Sequence, residues 1–350
     1  MRNGGSTLVL VCLGALLCLA ASDAHPRPFD NPSGKRPVTR GYYQLRAARD
    51  ATLQQALEAQ LDAPQLHAAV EDHRLAVALV DITELERPRL AMVNGDAMLY
   101  AASLPKIAIL LGAFERAREG RLALDGPLHE QVTAMIRVSS NGAASAVLQR
   151  VGQRYLLQLL QSGRYKLYDK HYNGGLWVGR SYGGGGMAQR DPLHNLSHGA
   201  TAYQVARFYY LLATGRLVST SGSARMKEVL GRPGIRHKFV AGLLQSHPDA
   251  QLYRKSGSWR SFHADSALVE RADRRYIAVA LADDARGELW LQQLILALDM
   301  IVFAHPGTPP SQLRWCLSRY VCRLPYRYPD DAPLASYRER YQAHLSRSQG

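Results

Sequence analysis

Ser103-Leu104-Pro105-Lys106 places a hydroxyl and an amine three residues apart, directly after the apolar run Leu99-Tyr100-Ala101-Ala102. On a helix that spacing puts both side chains on one face, within reach of each other. A serine hydroxyl is a poor nucleophile near neutral pH and needs such a base. Lysine can act as one only after its pKa falls, which burial and a neighbouring cation bring about. Two further patterns follow in order, Ser139-Ser140-Asn141 and Lys255-Ser256-Gly257. Each is common alone, whereas the ordered set is a specific signal. It reads as an acylating serine hydrolase: Ser103 attacks, Lys106 takes the proton and Lys255 supplies the charge that depresses Lys106. Ser139 relays a proton to the leaving group, and Asn141 holds the substrate amide while bonding the lysine. Ser139 and Asn141 also stand at the start of a helical run from Gly142 to Leu148, so helix capping is a second role open to them.

The elements that must carry these groups can be read from periodicity. Leu53, Leu57, Leu61 and Leu66 predict a helix over residues 45–70, and residues 74–82 and 89–93 read as paired strands. Residues 107–118 continue the nucleophile helix, and 201–214 form a helix stopped by Gly215. Residues 265–270 and 276–281 read as a hairpin around Arg271-Ala272-Asp273-Arg274, and 289–302 as a helix packing back on the sheet. The expected architecture is α+β, an antiparallel sheet flanked by helices, with the site at the junction with a helical insert.

As they stand, these residues resemble the active-site serine enzymes of the class A β-lactamase and penicillin-binding superfamily, over about residues 45 to 305. Val93-Asn94-Gly95-Asp96 leading into Ser103, and Tyr253-Arg254-Lys255-Ser256-Gly257-Ser258-Trp259, are similar to that family's strand before the nucleophile and its third strand. The resemblance implies a β-lactamase/transpeptidase-like fold. It also implies an oxyanion hole from the Ser103 and Ser258 N–H groups, and a substrate carboxylate bound by Lys255 and Ser256, beside Gly257. Ser139 follows Ser103 by 36 residues, shorter than in typical class A enzymes, which implies a reduced helical subdomain. The glutamate that frees the acyl-enzyme in that family has no match here. Asp191-Pro192-Leu193-His194-Asn195 keeps the four-residue Glu/Asn spacing, which makes Asp191 the candidate deacylation base and an ordinary Asp-Pro turn the competing reading.

Residues 166–198 are Gly-rich, with Asn173 to Gly179 and Gly183 to Gly186 suited to a mobile cover over the pocket. Tyr172, Trp177 and Tyr182 could stack on substrate or simply anchor the loop. Asp191, His194 and His198 have spacings that raise a zinc site, but the segment reads as loop and a Ser/Lys enzyme needs neither metal nor cofactor. His194 could instead assist deacylation. Arg236, Arg260 and Arg275 could grip a carboxylate, Arg260 being preferred because it follows Lys255 by five residues if the strand continues.

Arg2, the apolar run Leu8 to Ala21 and Ser22-Asp23-Ala24 read as a signal peptide over residues 1–24, followed by a Pro-rich linker over 25–44. The expected product is periplasmic or secreted, without a transmembrane or lipid anchor. Cys316 and Cys322 would remain, and an oxidising compartment would allow them to pair unless an uninterrupted helix holds them apart. The formal net charge of +14 suits anionic surfaces such as peptidoglycan, and no nucleic-acid module accompanies it. Residues 306–350 form a basic, Arg- and Tyr-rich extension. The motifs admit a β-lactam, a D-alanyl-D-alanine peptide of peptidoglycan or an ester as substrate, and a non-catalytic cell-wall-binding module is the reading from another class.

Overall fold

Asp50 caps α1 (Ala51–Leu61) by accepting from the Leu53 N–H, and Pro64 opens α2 (Pro64–Glu71). The single helix expected over residues 45–70 is therefore broken at Asp62-Ala63, because the proline ring and its missing N–H cannot continue the preceding turn. Leu45–Ala48 is a separate 3-10 turn. This computed structural model describes residues 45–184, 188–304 and 308. The signal peptide, the linker, Gly185 and Gly186, the Cys316/Cys322 pair and the C-terminal extension from residue 309 lie outside the described residues.

Next come β1 (Leu75–Asp81), β2 (Arg89–Val93) and β3 (Leu99–Tyr100), then α3 (Lys106–Arg118), α4 (Gly126–Arg137), α5 (Asn141–Val151) and α6 (Gln153–Gln161). The Gly-rich stretch contains four short strands, β4 (Tyr168–Asp169), β5 (Gly174–Gly175), β6 (Trp177–Val178) and β7 (His198–Ala200). It is followed by α7 (Ala202–Ala213), α8 (Thr220–Leu230) and α9 (Phe239–Ser246), then β8 (Gln251–Trp259), β9 (Phe262–Arg271), β10 (Arg274–Asp283) and α10 (Gly287–Phe303). The expected hairpin and closing helix are present, each a few residues longer than the sequence pattern marked.

Five strands form an antiparallel sheet in the order β2-β1-β10-β9-β8. Leu75 to Val80 is apolar at every position because β1 is covered on both faces. Leu75, Val77 and Leu79 join the α1, α9 and α10 side chains in one core, whereas Ala76, Ala78 and Val80 join α3 and α7 in the other. Strand β8 lies at the sheet edge, so one side of it is free to line a cleft. No helix among the described residues is long and apolar enough to cross a membrane.

A buried ion pair fixes the end of the sheet that carries the site. Arg254 on β8 grips Asp265 on β9 with two bonds of 2.7 Å, and donates again to Ile235 O (2.9 Å) and His237 O (3.2 Å). Asp265 Oδ2 also accepts from Phe239 N (3.1 Å), the first residue of α9, which has no cap of its own. One carboxylate thus ties the hairpin, α9 and the preceding loop together. Removing it would leave a buried guanidinium unpaired, so Asp265→Ala is expected to cost about 3–5 kcal/mol. Chemical denaturation of the two proteins side by side checks this, and a loss below about 1 kcal/mol would count against the pair's bracing role.

Candidate active site

The nucleophile turn is built before its helix begins. Strand β3 pairs with β7 through Leu99↔Ala200 and Tyr100↔Gly199, and the Ala101 N–H donates to His198 O (3.0 Å). Ala102 then adopts φ 48°, a left-handed conformation that a side chain tolerates only when its surroundings enforce it. Tyr182 is part of that enforcement, its hydroxyl donating to Ala102 O at 3.3 Å. The turn sets half-buried Ser103 at the head of α3, with Lys106 one turn on and fully buried.

Strand β8 presses against this turn. A Cβ on Gly257 would lie 2.2 Å from Ala101 O and 2.8 Å from the Ser103 and Leu104 nitrogens, so only glycine fits. The Ser103 N–H donates to no backbone carbonyl among the described residues and remains available to a developing oxyanion.

Lys106 Nζ donates to Ser139 O (2.6 Å), Asn141 Oδ1 (2.8 Å) and Ser139 Oγ (3.3 Å), and none of these bonds goes to Ser103. From the other side Lys255 Nζ donates to Ser139 Oγ (2.9 Å) and Ser256 O (2.7 Å). The Ser139 hydroxyl therefore stands between two amines. Ser139 itself sits at φ 59°, aimed inward. Helix capping falls to neither Ser139 nor Asn141, since Ser140 Oγ accepts from Ala143 N (3.2 Å) and leaves its neighbours free for the site.

Burial holds the Lys106 ammonium down to about 7. The expected role of Lys255 in that depression is not what the geometry gives, for Lys255 is itself pushed well below its ordinary value by burial, then by the charges of Lys106 and Arg254. Two buried amines this close to one hydroxyl cannot both hold a proton cheaply.

The Tyr182 ring lies 4.5 Å from Lys106 Nζ and 4.3 Å from the His198 ring. Of the two roles the sequence left open, stacking on substrate or anchoring the loop, its burial beside Lys106 and its bond to Ala102 O fit the second. His198 Nε2–H donates to Arg180 O (3.1 Å) and its Nδ1 meets Ser197 Oγ (3.2 Å), and burial, with the nearby Arg180 and Lys106 charges, drops its pKa to about 4. His194 turns elsewhere, to Asn173 Oδ1 at 2.8 Å. Trp177 anchors the loop through Gln189 O, and Tyr172 stacks on Arg46.

Asp191 is almost fully buried, and both its carboxylate oxygens are occupied, one by the Tyr168 hydroxyl and the other by His194 N (2.5 Å). Asn195 N closes the turn on Asp191 O at 2.9 Å. No hydrogen bond among the described residues joins Asp191 to Ser103, Lys106 or Ser139. Of the arginines, Arg260 does not extend the strand: β8 ends at Trp259, and exposed Arg260 turns the chain with its guanidinium near the Trp259 ring. Arg275 binds Thr83 O, and Arg236 lines a separate groove with Arg137, Arg232 and Tyr253.

Sequence reasoning passed over the residues behind β8. Lys238, fully buried, donates to Gly257 O (2.6 Å), Ser258 Oγ (2.7 Å) and Ala264 O (3.3 Å), and burial brings it to about 7 despite the opposing charges of Asp265 and Glu288. His237 reaches Ser256 Oγ and Glu288. No motif marks these two positions, which lie 17 and 18 residues before Lys255 and gain meaning only when the loop folds against the strand.

Residues 126–298 match the profile of the Beta-lactamase enzyme family. A beta-lactamase from Sphaerobacter thermophilus superposes with a TM-score of 0.56 at 16% identity, over 72% of this chain and 98% of that one. A PBP-A variant solved as an acyl-enzyme complex with penicillin G gives 0.54 at 19% identity, over 72% and 97%. The class A beta-lactamase reconstructed as the last common ancestor of Gram-negative bacteria gives 0.56 at 20%, over 71% and 100%. The chain shares the fold of the β-lactamase-like, penicillin-binding superfamily and is similar to it over residues 126–298. No curated protein matches it in sequence. The superfamily fold, an antiparallel sheet with helices on both faces, is the α+β architecture expected from the sequence.

Because only the unprotonated amine can take a proton from Ser103, acylation should be level above about pH 7 and fall about tenfold per pH unit below it. Lys106→Arg, charged at every accessible pH, should lose about 10²–10⁴ in acylation rate. A pH–rate profile of acylation followed by intact mass tests both, and a profile flat down to pH 5 would remove Lys106 as the base.

Proposed function

We propose that this protein is an exported serine hydrolase that forms an acyl-enzyme at Ser103 with an amide substrate carrying a carboxylate, a β-lactam being the first candidate. The observation that carries the reading is the continuous hydrogen-bonded path from Lys106 through Ser139 to Lys255. Ser103 Oγ attacks the carbonyl carbon and its proton passes to Lys106. The tetrahedral oxyanion is held by the Ser103 and Ser258 N–H groups. As the C–N bond breaks, the leaving nitrogen takes a proton through Ser139, replaced from the amines on either side. Asn141 holds the substrate amide, while Lys255 and Ser256 hold its carboxylate. No step requires a metal or a cofactor.

Release of the acyl group is the slow half of this scheme. The loop carboxylate that could activate water, Asp191, is committed to Tyr168 and His194 N. That favours a second reading, a penicillin-binding enzyme acting on D-alanyl-D-alanine peptides of peptidoglycan, in which the acyl group passes to water or an amine without a dedicated base. The apolar N-terminal run and the +14 charge support export to an anionic cell wall. A non-catalytic wall-binding module finds less support, since it has no use for two buried lysines around one hydroxyl.

The test is to incubate the protein and Ser103→Ala with benzylpenicillin while following intact mass and lactam loss together. A persistent adduct absent from Ser103→Ala is the expected result. Fast lactam loss with little adduct would place the protein with the β-lactamases, and neither signal would overturn the proposal for β-lactams.

A further inference from the structure

Behind the edge strand a second chain of polar groups runs away from the nucleophile. His237 Nε2 lies 3.3 Å from Ser256 Oγ, and its Nδ1 lies 3.3 Å from Glu288 Oε2 at the start of α10. Ser256 is nearly buried and His237 partly so. The scheme above uses Ser256 only as a ligand for the carboxylate and does not use His237 or Glu288 at all.

The direction of each hydrogen bond follows from the acid. Glu288, which burial pushes up but the His237 bond and the charges of His237, Lys238 and His263 bring to about 2, is ionised and can only accept. The proton of a neutral His237 therefore sits on Nδ1, leaving Nε2 with a lone pair. Ser256 must then donate its hydroxyl proton backwards to Nε2, and presents oxygen lone pairs to the pocket. When His237 takes a second proton the bond reverses: Nε2–H donates to Ser256 Oγ, and the hydroxyl proton turns outward. Lys238 already does this for Ser258 two residues along, donating to its Oγ at 2.7 Å.

We infer that His237, held by Glu288, is a positioning residue that sets the donor direction of Ser256, so that the pocket takes a carboxylate together with a proton. This deepens the proposed function, on which it rests, by making substrate anion recognition depend on pH independently of Lys106. The groups facing His237 are Glu288 on α10, Lys238 beside it, Arg254 and Ser256 on β8, and His263 on β9. Of these, burial together with Lys238 and Arg254 lowers the His237 pKa while Glu288 opposes them, so the free ring is mainly neutral at neutral pH. A bound carboxylate would reverse that balance.

The test uses Ser103→Ala, which cannot acylate, with benzylpenicillin and its methyl ester, measured by calorimetry in buffers of differing ionisation enthalpy from about pH 5 to 9. Above the His237 titration the acid should bind with proton uptake and weaken by up to about tenfold per pH unit, while the ester stays level. His237→Gln in the same background keeps an N–H donor that does not titrate, and should bind the acid with a shallower pH dependence and less proton uptake, leaving only the share that Lys255 contributes. Glu288→Gln should move the acid's transition to lower pH. Equal slopes for acid and ester, a slope and proton uptake undiminished in His237→Gln, or binding of neither compound would each overturn the inference. Carboxylate-specific proton uptake in a protein whose Ser103 form never gives an adduct would uphold it while removing the acylation reading.

Discussion

Two buried lysines converge on a single hydroxyl, and the remainder of the site is arranged to tolerate that. Lys106 and Lys255 both donate to Ser139 Oγ, at 3.3 and 2.9 Å. In water the two ammonium groups would move apart, but here α3, the start of α5 and β8 hold their stems in place. The low dielectric penalises each charge, and the nearby Lys106 charge penalises that of Lys255 further. Both therefore fall below their ordinary titration range. The energetic burden of keeping them dry is carried by the sheet, above all by the Arg254–Asp265 pair that braces β8 from behind.

The candidate catalytic groups were legible in the sequence because the chemistry proposed for them fixes both residue type and order. Ser103, Lys106, Ser139, Asn141 and Lys255 do come together. The sheet was legible too, since β1, β2 and the closing hairpin have strong strand patterns between clear turns. Periodicity alone misled at Asp62-Ala63-Pro64, where apolar spacing ran on but a proline stopped the helix. Arg260 was misjudged because strand length was extrapolated past a two-residue turn.

What was not legible depends on tertiary approach. His237 and Lys238, just before α9, and Glu288, at the start of α10, belong to two segments far apart in the chain and carry no local pattern. Tyr182 looked like a loop aromatic, yet it lies under Lys106 and supports the Ala102 carbonyl. Asp191 has the right spacing for a catalytic carboxylate, but spacing says nothing of direction, and its oxygens turn to Tyr168 and the His194 N–H. The Gly-rich segment, read as cover, is pinned by short strands, with β6 and β7 paired through Trp177↔Gly199 and Val178↔His198.

The contact of Gly257 with the nucleophile turn also orders events in time. Ser103 is made early in the chain, but Gly257, which packs against its turn, emerges 154 residues later, and its strand is braced only once β9 has supplied Asp265. Such long-range closure is slow relative to local helix formation. A chain still lacking its last third can form α3 and place serine beside lysine, yet has neither β8 nor the second amine. The arrangement around Ser139 is thus a late product of folding, completed only when β8 and β9 have joined the sheet.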